Sequence, residues 1–171
     1  MDLTETTRAA LAALFPGAAA PAAPATGDET TGSAAEPAPL GVSVLDPART
    51  GTWLAVHCRP DQVVEAARIL DGQGFFLESI AGVDWPDSGQ MEVLYDYNRL
   101  GGATCRVLVR ARVARDEPVL PTISSVFPAA DWHERETFDF YGIRFEGHAN
   151  LIRILLPEDA DFHPLRKDYL P

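Results

Sequence analysis

Lysine is almost absent from this chain: Lys167 stands alone beside thirteen arginines, and the 25 acidic residues leave a net charge of −11. So acidic a chain is a poor match for phosphate polymers, which excludes nucleic acid as an expected partner. The same charge repels anionic lipid headgroups. No stretch approaches the ~20 apolar residues that span a bilayer. The opening MDLTETTRAALAALFPG lacks the basic start of a secretory signal, and Arg8 interrupts its apolar run. Cysteine is scarce too. Cys58 and Cys105 read as two free thiols in a reducing compartment. These absences predict a cytoplasmic protein, soluble or held at a membrane only through partners.

Signatures of chemistry are missing as well. There is no GxGxxG, no GxxxxGK[ST] and no GxSxG. Gly72 and Gly74 are better placed as a helix stop than as a cofactor loop. His57 and Cys58 are neighbours in a predicted strand, so their side chains leave on opposite faces. His133, His148 and His163 are evenly spaced, but no HxxxH or CxxC pair accompanies them, so hydrogen-bonding histidines are expected rather than metal ligands. Glu134 and Glu136 point to different sides of a predicted helix. Arg135 and Asp139 lie four apart and are expected to pair, which makes a charge-paired helix, not an acid/base dyad.

What the chain does contain is an α+β pattern, mainly antiparallel sheet with flanking helices and an extended C-terminal arm. An amphipathic helix is expected over 1–16. Residues 17–39 are rich in Ala, Pro and Gly and read as a flexible linker. The core domain then runs over 40–131. Strands are predicted at 40–45, 51–58, 75–85, 90–98 and 103–113, with Gly101-Gly102 turning between the last two. A helix is predicted over 61–72, with Val63, Val64, Ala67 and Leu70 on one face. Period-two alternation sends Cys105, Val107, Val109, Ala111 and Val113 one way, and Arg106, Leu108, Arg110 and Arg112 the other. Proline brackets a predicted helical turn through VLPTISSVFP, and a helix is expected over 130–140. From Gly142 onward the expectation is irregular, extended chain. There HANLIRILL (148–156) has neither helix nor sheet periodicity and needs covering. HPLRKDYLP should be extended, because a residue before proline avoids helix. Arg166, Lys167 and Asp168 then stand in a row as strong hydrogen-bonding groups.

GVD at 82–84, WHERETFDFYGIRFEGH at 132–148 and HPLRKDY at 163–169 resemble the 30 kDa (C) subunit family of respiratory complex I, the proton-pumping NADH:quinone oxidoreductase. The resemblance extends from about residue 50 to the end. Glu134, Arg135, Glu136, Asp139, Gly142, His148 and Arg153 fall at the family spacing. Ala149 and Ile152 stand where the family usually has a proline and a basic residue. The resemblance implies a cofactor-free structural subunit, with iron–sulphur clusters, FMN and quinone held by partner subunits. It implies a place in the hydrophilic arm, peripheral on the cytoplasmic face of the inner membrane. Docking would be on the large quinone-site (49 kDa, D-type) subunit, and membrane contact indirect. The expected partner interface comprises Glu134, Arg135, Glu136, Asp139, Tyr141, His148, Arg153, His163, Leu165, Arg166, Lys167 and Asp168. Membrane-bound [NiFe] hydrogenases and formate hydrogenlyase use the same family, and the motifs leave that alternative open.

Overall fold

The computed structural model describes residues 2–16, 38–102 and 104–171. The linker expected over 17–39 therefore lies almost wholly outside the described residues.

The sheet grows from the alternation in its two longest central strands. β4 (Gln90–Arg99) buries Met91, Val93, Tyr95 and Tyr97, and β5 (Cys105–Ala114) buries Cys105, Val107, Val109, Ala111 and Val113. The predicted faces of β5 are the observed ones. β3 (Phe76–Trp85) pairs antiparallel with β4, and β4 antiparallel with β5. β2 (Leu54–Cys58) joins β5 in parallel, and β1 (Gly41–Val44) closes the edge, giving the order β1-β2-β5-β4-β3. A four-residue helix, α2 (Pro47–Thr50), capped by Asp46, turns the chain between β1 and β2, where the sequence pattern signals none.

Among the described residues, three helices cover the apolar face. α3 (Val63–Gly72) buries Val63, Ala66, Ala67 and Leu70, and the chain turns back at Gly74, where φ is +77°. α1 (Leu3–Ala12) is capped by the Asp2 carboxylate and inserts Leu11, fully buried, beside α3 and β1. Thr7 Oγ1 donates to Gln73 at 2.6 Å and Gln62 Nε2 to the Leu14 carbonyl at 2.6 Å. The leading helix is thus seated on the core. α4 (Ala130–Tyr141) packs on β3. The opposite sheet face carries the arginines of β5.

Two expectations are corrected. Residues Val119–Pro121 form a strand, β6, rather than part of a helical turn, and only Ile123 to Phe127 make the turn. Nor is the chain after Gly142 wholly irregular: β7 (Arg144–Glu146) pairs in parallel with β6. Strands of three residues are too short to show periodicity, and the flanking prolines mimic turn punctuation.

Candidate functional site

The family-type motifs converge where α4 ends. Gly142 terminates the helix at φ +75°, and a Cβ there would stand 2.6 Å from His163 Nε2 and 2.7 Å from Arg166 Nη2. Only glycine gives both the left-handed turn and the space. One strand away, a Cβ on Gly82 would lie 2.6 Å from the Tyr141 ring, so the GVD glycine lets α4 settle onto β3.

Asp139, with no exposed side-chain surface, organises the arm. Its Oδ2 accepts the backbone N–H groups of Ile154, Leu155 and Leu156 at 3.1, 2.8 and 2.9 Å, and its Oδ1 accepts Arg153 Nη1 at 2.7 Å. Burial alone would raise this carboxyl, but the three N–H donors and Arg153 outweigh it and hold it below the usual aspartate range. Arg153 continues to the Asp139 and Phe162 carbonyls, and His163 Nδ1 donates to the Asp139 carbonyl at 3.0 Å. Burial first, then the nearby Arg166 and Arg153, lowers the His163 pKa, although the Asp139 carbonyl pulls the other way.

A second carboxylate holds the end of the arm. Asp84 on β3 takes Arg115 Nε and Nη2 at 2.7 and 3.0 Å and the Lys167 N–H at 2.8 Å. Its pKa is raised by burial but carried below the ordinary value by Arg115 and that N–H. Arg115 also donates to Asp168 at 2.7 Å, and Arg166 Nε to the Tyr141 carbonyl at 2.8 Å. Phe162 and Tyr169 stack with ring centroids 5.3 Å apart.

A third anchor sits at the start of α4. Glu134, fully buried, accepts from the Thr122 hydroxyl and from the Ile123 N–H at 2.8 Å. Burial raises its pKa against those two donors. His148 accepts the Asn150 N–H on Nδ1 at 3.0 Å, and its Nε2 lies 3.2 Å from the Asp131 carbonyl and 3.4 Å from the Asp131 carboxylate.

The expected interface residues therefore divide. Glu134, Asp139, His148, Arg153, His163, Arg166 and the Lys167 backbone work inside the chain, tying the arm to α4 and β3. Glu136 and Leu165 face outward, the Lys167 ammonium lies 5.2 Å from the centre of the Trp85 ring, and the part-exposed Asp168 carboxylate takes Arg115 at 2.7 Å. Tyr141 covers Gly82. The predicted Arg135–Asp139 pair does not form. Arg135 instead reaches the Ile152 carbonyl at 3.2 Å, lies 4.0 Å from Asp131 and sits over the Trp132 ring at 5.1 Å, while Asp139 takes Arg153. Of the hydrogen-bonding groups expected in a row at 166–168, Arg166 donates to the Tyr141 carbonyl, Asp168 accepts from Arg115 and the Lys167 N–H goes to Asp84. The three histidines do not converge, and among the described residues no three His, Cys, Asp or Glu side chains are grouped to hold a metal. Sequence reasoning misses Asp84, Arg115 and Thr122 as anchors; GVD at 82–84 is the one available signal. No helix among the described residues is long and apolar enough to cross a membrane.

Five large apolar side chains are exposed along the latched arm, Ile152, Leu155, Phe162, Leu165 and Leu170, with Trp132 on the neighbouring helix, beside the exposed acids Glu158, Asp159 and Asp161. A braced backbone presenting such side chains suits a partner surface.

Residues 56–171 match the model of the family described as respiratory-chain NADH dehydrogenase, 30 Kd subunit. The C subunit of the NADH-quinone oxidoreductase of Salinispora tropica is 41% identical over 124 residues, spanning 68% of this chain and 49% of that protein. Its counterpart in Roseiflexus castenholzii is 41% identical over 120 residues, spanning 67% and 68%. The chain thus spans about half the length of the Salinispora relative. Among solved structures, a chain of the membrane-bound sulfane sulfur reductase, an archaeal respiratory membrane complex, superposes with TM-score 0.62 at 28% identity, covering 68% of this chain and 71% of that one. A trypsin-resistant fragment of Nqo5 gives TM-score 0.52 at 31% identity, covering 57% and 82%. From the first signature glycine to the last tyrosine, the chain belongs to the respiratory-chain NADH dehydrogenase 30 kDa subunit family.

Proposed function

We propose that this chain is a cofactor-free assembly subunit in the hydrophilic arm of a proton-pumping NADH:quinone oxidoreductase, at the cytoplasmic face of the membrane. It docks on the large quinone-site subunit through the outer edge of its latched arm, while iron–sulphur clusters, FMN and quinone belong to its partners. The observation that carries this is the arm itself. Two buried carboxylates, Asp84 and Asp139, brace a segment that turns Ile152, Leu155, Phe162, Leu165 and Leu170 outward. Its saturated hydrogen-bonding groups suit holding a shape better than turning over a substrate. The family of the chain supplies the kind of assembly.

Affinity purification of the tagged full chain from its own cells tests it. The expected result is an iron–sulphur assembly with NADH-dependent quinone reduction; recovery only as a free monomer counts against it. A second reading is the equivalent subunit of a membrane-bound hydrogenase-type complex, since a chain of another respiratory membrane complex, the archaeal sulfane sulfur reductase, shares this fold. Nickel and hydrogen-linked activity in the purified assembly select that reading.

A further inference from the structure

Of the three tryptophans in the chain, two serve its interior. Trp53 packs against the core, and Trp85 donates its indole N–H to Glu92 at 3.0 Å. Trp132, near the start of α4, stands outside that core with 64% of its surface exposed. It is nonetheless held. The Arg135 guanidinium lies 5.1 Å from the centre of its ring. That guanidinium donates to the Ile152 carbonyl at 3.2 Å and stands 4.0 Å from Asp131. Arg135 and a carbonyl of the arm thus set the indole in place, and the Ile152 side chain is exposed as well. An aromatic ring already fixed loses little freedom when a partner covers it.

Carboxylates accompany these apolar groups. Glu136 is exposed one turn further along α4. Glu158 and Asp159 stand in a turn closed by the Ala160 N–H on the Pro157 carbonyl at 3.0 Å, and Asp161 precedes Phe162. Among the described residues no ion pair reaches any of these four. The cations of α4 and the arm are engaged elsewhere: Arg135 as above, Arg153 by Asp139, Arg166 by the Tyr141 carbonyl and Lys167 by the Trp85 ring. Even with Arg166 and Lys167 counted against the four carboxylates, the arm's outer surface is negative.

We infer that Trp132 anchors the arm to its partner polypeptide by entering an apolar pocket whose rim carries lysine or arginine. The inference rests on the arm docking proposed above and names the chemistry of the surface that receives it. Tryptophan is enriched among the few residues that carry most of an interface's binding energy, and such residues fill desolvated pockets inside a polar rim. Unpaired carboxylates beside the anchor call for cations on that rim. Rim charges of this kind govern orientation, association rate and salt dependence more than affinity. Affinity therefore belongs to Trp132, and salt dependence to Glu136, Glu158, Asp159 and Asp161. A second copy of the chain fits poorly, because a two-fold contact sets each patch against itself and brings like charges together. A nucleic acid or an anionic membrane is repelled by the same carboxylates.

The test is made on the native assembly, purified through the tagged full chain, and on the full chain alone. Trp132 should be oxidised by hydroxyl radicals in the lone chain and protected in the assembly. Trp132→Ala should leave the melting temperature of the lone chain nearly unchanged and lower retention in the assembly about tenfold or more. Trp132→Phe should recover part of that loss. Retention of the parent should fall as salt is raised. That response should largely vanish in the variant carrying Glu136→Gln, Glu158→Gln, Asp159→Asn and Asp161→Asn, all at exposed positions. Full retention of Trp132→Ala, an unprotected Trp132, or a salt response in the amide variant equal to the parent's overturns the inference. Leu155→Asp separates it from the docking itself. If that variant is also retained in full, the arm is not the interface and both readings fall. If Leu155→Asp is lost while Trp132→Ala is retained, only the anchor falls. Self-association of the lone chain that Trp132→Ala abolishes would make a second copy the occupant, and the inference falls then too.

Discussion

Asp139 commits both carboxylate oxygens to the arm, so its loss is costly. Replacing it with alanine strands the Arg153 guanidinium and three N–H groups at once, an expected loss of about 3 kcal/mol, in the range for breaking a buried ion pair. Chemical denaturation of Asp139→Ala against the parent measures it. Gly142→Ala is expected to cost about 1–2 kcal/mol for the left-handed backbone alone, and more where His163 and Arg166 must move. Glu134 behaves oppositely to Asp139 in pH. Its folded pKa is raised, so its contribution is full in acid and is lost as pH rises through that value. Glu134→Gln keeps an acceptor for Ile123 and offers a donor to Thr122. It should therefore flatten this part of the pH–stability profile and cost little near neutrality. A loss at pH 7 as large as that of Asp139→Ala would show that the charge itself is needed.

At the scale of elements, the legible parts are those whose signal is local. The two faces of β5, the α3 stripe and the extent of α4 follow from alternation, helical spacing and glycine stops. The candidate site was legible only as a set of motifs. Spacing by four made Arg135 and Asp139 a plausible pair, but the same spacing joins Arg135 to Asp131, and Arg153 from beyond the helix supplies a better partner for Asp139. Asp84 meets the Lys167 N–H across 83 positions, a contact that no local pattern encodes. α1 lies before the family-matched region, yet it inserts Leu11 into the core. Leu11→Ala should cost about 2–4 kcal/mol and raise hydrogen exchange in α1 and at Cys105, which Thr4 of the helix helps cover. An unchanged melting temperature would mean that α1 is not seated there in solution.

For the whole molecule, the sheet and the arm are two bodies of unequal independence. The sheet with its helices owns the apolar core, whereas the arm after Gly147 is held chiefly by polar anchors, with Leu151 packed against that core. Acid should therefore release the arm before it unfolds the sheet. Asp84 and Asp139 both have folded pKa values below the ordinary one, so their stabilisation is present above the usual aspartate range and is lost as pH falls through it. His163, also lowered, adds to the loss in the same direction and starts earlier, below the ordinary histidine range. Hydrogen exchange resolved by segment should show residues 150–169 losing protection on acidification while β4 and β5 keep theirs. The Asp84→Asn/Asp139→Asn double variant should show the same separation already at neutral pH, and should be recovered in its native assembly at reduced stoichiometry. If arm and sheet lose protection together, the latch is part of one cooperative unit. If the double variant assembles at full stoichiometry, the braced arm is not what the partner reads.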